Sequence, residues 1–197
     1  MEEKEPQVGV TASRQDKINE EKRVDPGKEE SKIILLPDTS WLVAILDEKD
    51  SHHVAAQSSL GALMPYKPAF HVPILASIET MSRLIRVNKM SVSICRKKVL
   101  DLFANTLHAK GASRTYKFEE ILDRYDKWKR KEVKNLTAVD FCIVTEGIGL
   151  EAKILTCDLK MYKSAKKYYQ DIYFMSDMVE AQESDLARLI HDIQKLK

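Results

Sequence analysis

Asp38 and Asp158 are the side chains whose placement most invites chemistry. Each ends a short apolar run, Ile33-Ile34-Leu35-Leu36-Pro37 before Asp38 and Ile154-Leu155-Thr156-Cys157 before Asp158, and each is followed by residues with helical spacing. Four consecutive apolar residues read as a strand buried on both faces, as in parallel sheets. Pro37, with no N–H to donate, is expected to end the first ladder. Asp38, Thr39 and Ser40 offer capping oxygens for a helix beginning near Trp41, so Asp38 taken alone reads first as a helix cap. The recurrence at Asp158 adds the second reading. Strand–helix–strand units with right-handed crossovers align like strand ends on one side of a sheet, which is where open α/β sheets bind ligands. Two carboxylates facing one crevice resist ionisation together, and a hard divalent cation resolves that conflict.

Two further acids stand in apolar surroundings. Glu79 flanks the stripe Ile74, Ile78, Met81, Ile85 of a helix expected over Ile74–Arg86, which Pro73 opens. A carboxylate at the edge of a core face is often only a snorkelling surface residue. Asp140 is the lone charge between Val139 and Val144. Thr137 and Asp140 match a capping box at the start of a helix reaching Leu150, with Gly147 and Gly149 expected to end it. Capping explains part of Asp140, yet a carboxylate on a buried helix is costly unless something pairs with it.

The elements between these acids are conventional. Helices are expected over residues 51–64, 91–105 and 117–134, the last charged and amphipathic with a basic cluster at Lys127, Lys129, Arg130, Lys131 and Lys134. That cluster is either a solvated helix end complementing the macrodipole or a phosphate contact. Brief extended pieces fall at 69–72 and 172–175, and 106–109 is a short strand or a connector. Residues 176–197 form a terminal helix with Leu186, Leu189, Ile190, Ile193 and Leu196 on one face, which packs on the domain or on a partner. His52 and His53 suggest a metal site, but adjacent helical residues point about 100° apart and do not readily share one ion. Lys160, Lys163, Lys166 and Lys167, at three- and four-residue spacing, share a helix face directly after Asp158. They are candidate phosphate-backbone contacts, or simply a solvated face.

Composition narrows the class. The 197-residue chain has 32 basic and 30 acidic residues, a net charge of +2, so nothing in its overall charge announces a polyanion partner. Its length suits one domain with an extension. Residues 1–31 contain fifteen charged and six apolar residues, too few to offset ordering entropy, and read as a disordered or loosely ordered leader. The folded domain is expected over 32–176, followed by the helix of 177–197. Three cysteines without metal-ligand spacing fit a reducing compartment. No apolar run spans a bilayer and no secretory h-region is present, so the expected location is cytoplasmic, with no membrane partner.

Taken in order, Asp38, Glu79, Asp140 and Asp158 are spaced 41, 61 and 18 residues apart. In this the chain resembles the PIN domain family, most closely the VapC-type toxin ribonucleases, over roughly residues 33–175. The resemblance is carried by Leu-Pro-Asp-Thr-Ser-Trp-Leu-Val-Ala-Ile-Leu-Asp, the Ile-Glu-Thr around Glu79, Leu-Thr-Ala-Val-Asp, and Ile-Leu-Thr-Cys-Asp-Leu-Lys-Met-Tyr. It implies a three-layer α/β/α fold with a central parallel sheet flanked by helices. It further implies that the four acids gather around Mg²⁺ or Mn²⁺, with Ser40 and Thr156 supporting them, to hydrolyse RNA phosphodiester bonds, so that the lysine contacts would be to RNA. The implied setting is a toxin paired with an antitoxin protein, or an RNA-processing nuclease, and a homodimer is one possible assembly. Lys160 stands where many relatives carry a further acid, which weakens a second metal site. The alternative is a catalytically silent PIN-like scaffold or RNA-binding module. A phosphatase reading would need a second acid two residues after Asp38, where Ser40 stands.

Overall fold

The computed structural model describes residues 33–107, 136–176 and 184–196, all within one compact unit. The leader of residues 1–31 and the charged helix expected over 117–134, with its basic cluster, lie outside the described residues. The sheet has four strands, β1 (Ile34–Pro37), β2 (Ala69–Phe70), β3 (Lys153–Thr156) and β4 (Ile172–Phe174), all parallel and ordered β2-β1-β3-β4. Seven helices flank it among the described residues: α1 (Thr39–Leu46), α2 (His53–Leu63), α3 (Ile74–Arg86), α4 (Val92–Leu100), α5 (Ala138–Leu150), α6 (Leu159–Ala165) and α7 (Asp185–Gln194). The expected α/β class with a central parallel sheet is therefore present. None of these helices is long and apolar enough to cross a membrane.

The strand order decides where a site can form. From β1 the chain moves outward to β2, then returns across β1 to β3 and on to β4. The direction of winding thus reverses between β1 and β3, and crevices form outside the carboxyl ends of strands at such a point. Leu36 pairs with Ile154 and Pro37 with Leu155, so the two strand ends lie side by side. Asp38 leaves β1 there, its N–H bonded to the Leu155 carbonyl at 2.9 Å.

Pro37 is the last residue of β1, where the ladder is expected to end. Bonding alternates along the strand, with the Leu35 carbonyl accepting from His71 in the β2 direction and Asp38 donating toward β3. Pro37 therefore faces the β2 side, where the β2 ladder has already ended at Phe70, and its missing N–H costs no ladder bond.

The core runs through both faces of the sheet. Leu35, Leu36, Ile154, Leu155 and Ile172 are fully buried, as are Trp41 and Leu42 of α1. Each fully buried side chain of this size contributes about 1.5–3 kcal/mol. Trp41 stacks on Phe70 with ring centroids 6.3 Å apart and donates its indole N–H to Ser59 at 3.0 Å. The terminal helix packs on the domain through Leu189 and Ile193. It is anchored where Arg188 lies over the Tyr173 ring, 4.4 Å from its centroid. Its regular turns span Asp185–Gln194 and Leu196 is exposed, while residues 177–183 of the expected helix lie outside the described residues.

Helix α3 has the expected bounds but turns a different face inward. Ala76, Thr80 and Leu84 are buried; of the expected stripe, Met81 and Ile85 pack half-buried against the core, whereas Ile74 and Ile78 are exposed. α3 packs directly against α1, and close approach of two helices favours small residues at the contact. Gly147 and Gly149 lie inside α5, which ends instead at Glu151 in the left-handed region, φ 52°. Gly147 answers a packing need, since a Cβ there would stand 2.6 Å from the Cδ1 of buried Ile154. Beyond α4 the helix widens to π-type turns over Asp101–Thr106.

Candidate active site

Asp38 is the buried member of the set, only 2% exposed. It caps α1, accepting from the Trp41 N–H at 2.8 Å. The Ser40 hydroxyl donates to its carboxylate at 2.8 Å, and the Thr156 hydroxyl donates at 2.8 Å from β3. The same hydroxyls join the two strand ends. Ser40 accepts from the Cys157 N–H at 2.8 Å, and Thr156 accepts from the Asp158 N–H at 2.9 Å. The supporting positions Ser40 and Thr156 are thus placed directly on Asp38. The cap reading and the site reading describe one side chain.

Three donors do not restore ordinary acidity to Asp38. Burial pushes its pKa from 3.8 up to about 7, against the pull of Trp41, Ser40 and Thr156, and the negative charge of Asp140 adds to the rise. Asp140 forms the capping box with Thr137, its carboxylate accepting the Thr137 N–H at 2.9 Å. Its pKa is also raised, first by burial and then by the charges of Asp158 and Glu79, although its bonds to Thr137 work against this. Asp158 caps α6, accepting from the N–H groups of Lys160 at 2.7 Å and Met161 at 2.9 Å. Glu79, half-buried on α3, accepts the Thr39 hydroxyl at 2.7 Å.

The four acids therefore come from four elements and feel one another, with Asp140 the link to the other three. In Glu79 and Asp158 these bonds engage one oxygen, and the second has no protein donor among the described residues. Hard oxygen donors of this kind suit Mg²⁺ or Mn²⁺ rather than a soft metal. Among the described residues, however, no three His, Cys, Asp or Glu side chains stand together as a ready coordination sphere. The chemistry of the donor set fits a hard cation, and its spacing is looser than a preformed cage.

The lysines do not share one face. Lys160 and Lys163 are exposed on α6 and Lys167 is exposed just beyond it. Lys166 turns inward, donating to the carbonyls of Gln170 and Ile172 at 3.0 Å each. α6 stops at Ala165, so the periodic spacing does not extend to Lys166 and Lys167. His52 and His53 diverge as adjacent helical positions should. The His53 ring pairs with the Ala44 carbonyl at 2.7 Å and the His52 ring with the Ser176 hydroxyl at 3.1 Å.

Two contributors were not singled out in the sequence. Thr39, valued there only as a capping oxygen, fixes Glu79 across α1 and α3. Arg83 lines a cleft beside Asp158. It stands four residues after Glu79 and so on the same helix face, the one signal that could have pointed to it. No family model and no curated protein matches the chain.

Proposed function

We propose that the chain is a metal-dependent endoribonuclease, a hydrolase of RNA phosphodiester bonds serving as a toxin or as an RNA-processing nuclease. The observation that carries this reading is the mutual influence of four carboxylates, delivered by β1, α3, α5 and β3, around the reversal point of a parallel sheet. Asp38, Glu79, Asp140 and Asp158 would hold Mg²⁺ or Mn²⁺. When bound, such a cation lowers the pKa of water and offsets charge building on a phosphate.

The chain's own residues prepare that binding. Ser40, Thr156 and the Trp41 N–H fix both oxygens of Asp38, and Thr39 holds Glu79 from the adjoining helix. Burial raises the Asp38 pKa to about 7, so a cation held there would compete with a proton for the carboxylate. The partners that go with this reading are RNA, an antitoxin protein and a second copy of the chain. A catalytically silent scaffold is the competing reading, favoured by the lack of a preformed three-ligand cluster among the described residues.

Cleavage assays separate the two. RNA should be cut by the wild-type protein in Mn²⁺, and cutting should cease in EDTA and in Asp38→Asn and Asp140→Asn. Metal-independent cutting, or none by the wild type with any RNA, would overturn the nuclease reading.

A further inference from the structure

A cleft of about 500 Å³ opens directly off the acid cluster, sharing Ser40 and Asp158 with it. That size lies within the roughly 300–1,000 Å³ of ordinary ligand sites. Three elements contribute its basic side chains: His52 from the start of α2, Arg83 from α3 and Lys160 from α6. Arg83 and Lys160 are both exposed, and among the described residues neither has an ion-pair partner.

The most obvious role for Lys160, neutralising Asp158, is not the one it fills. Its backbone N–H bonds that carboxylate at 2.7 Å, while its ammonium makes no ion pair with it. His52 is held in place from behind, its ring paired with Ser176 at 3.1 Å and set edge-on to Phe174, centroids 6.3 Å apart. This leaves Nε2 as its remaining hydrogen-bonding atom. The other acid on the rim, Asp50, is turned onto the His52 N–H at 2.9 Å. Two cations without partners and a fixed imidazole thus surround a space on the border of a carboxylate cluster. A solvated lysine face would need neither the cleft nor the arginine from a different helix.

We propose that this cleft is a phosphate subsite for single-stranded RNA, an inference that rests on the ribonuclease reading above. Arg83 and Lys160 hold the phosphate that flanks the one presented to the acids, and His52 forms the wall behind it. The guanidinium offers paired N–H donors to phosphate oxygens, and the ammonium acts as a point charge. Lys166, bonded to backbone carbonyls, takes no part, and the strand is positioned by Lys160 rather than by a row of lysines.

The test is fluorescence anisotropy of a labelled oligouridylate with the full chain in EDTA, over a salt series. It compares wild type with the double variant Arg83→Gln, Lys160→Gln and with Lys97→Gln on α4, outside the cleft. For single strands each phosphate contact contributes about 0.7 to the slope of log K against log salt. The double variant should lose about 0.7 of slope and bind about fivefold more weakly near ~0.1 M salt, while Lys97→Gln keeps the wild-type slope. Both replaced side chains are exposed, and unchanged thermal melting confirms the fold. If wild type binds and cleaves RNA while the double variant keeps its slope, the subsite is wrong and the nuclease reading stands. If wild type neither binds nor cleaves RNA, both fall.

Discussion

Replacing Asp38 with asparagine should stabilise the metal-free protein at alkaline pH and destabilise it slightly in acid. The carboxyl group has a pKa of about 7 in the fold against 3.8 when unfolded. The folded state therefore holds a proton that the unfolded state has released. Asp38 contributes its stability in full below about pH 4, and that contribution is lost as pH rises through about 7. The difference between the two pKa values corresponds to about 4 kcal/mol. Asparagine removes this penalty but puts an amide nitrogen where Ser40, Thr156 or Trp41 now donates, at a cost of about 1–2 kcal/mol. The net gain at pH 8 is about 2–3 kcal/mol, or roughly 5–10 °C in Tm for a chain of this length. At pH 5 the unfolded carboxyl is already ionised, so about 1–2 kcal/mol is lost from the wild type and the hydrogen-bond cost roughly cancels the gain. Only below about pH 4 does that cost stand alone and the sign reverse. Urea unfolding of both proteins in EDTA at about pH 3.5 and about pH 8 reads this directly, on the two sides of the pKa interval. If Asp38→Asn is less stable at both pH values by a similar amount, Asp38 is an ordinary charged helix cap and the reasoning fails.

Other consequences follow from single contacts. Thr39→Val removes the hydroxyl that holds Glu79 and should weaken Mn²⁺ binding about 10- to 100-fold, the usual range for residues that orient metal ligands. Titration calorimetry checks it, and melting in EDTA should change little. Gly147→Ala drives a methyl group into the side chain of Ile154, which is fully buried, and should cost about 1–3 kcal/mol in urea unfolding. Ser40→Ala leaves the Cys157 N–H without its acceptor and removes a donor from Asp38. It should lower stability by about 1–3 kcal/mol and raise the pH at which Asp38 titrates.

The parts of this fold that were legible are those written in contiguous residues. An apolar tetrad followed by a capping acid marks β1 and Asp38, a shorter strand pattern ending in an acid marks β3 and Asp158, and Thr137 with Asp140 declares the start of α5. What depended on tertiary choice was not legible. The large apolar residues of α3 suggest Ile74, Ile78, Met81 and Ile85 as its buried stripe, but packing buries Ala76, Thr80 and Leu84, leaves Met81 and Ile85 half-buried and exposes Ile74 and Ile78. Lys166 looks like a member of a basic face until α6 ends one residue before it. The π-type turns after α4 have no residue signature that distinguishes them from α-helix. His52, Arg83 and Lys160 meet only because three elements end or begin around one cleft. Spacing along the chain brings Arg83 onto the face of Glu79 but is silent about the histidine.

Four acids from four elements are proposed to act together on a hard divalent cation. Electron paramagnetic resonance of Mn²⁺ added to EDTA-treated, dialysed protein measures this without reference to any RNA. The free aqueous Mn²⁺ signal should be lost with wild type and return with Asp38→Asn or Asp140→Asn, both still folded by circular dichroism. A free-ion signal that wild type leaves unchanged at millimolar Mn²⁺ would contradict this proposal.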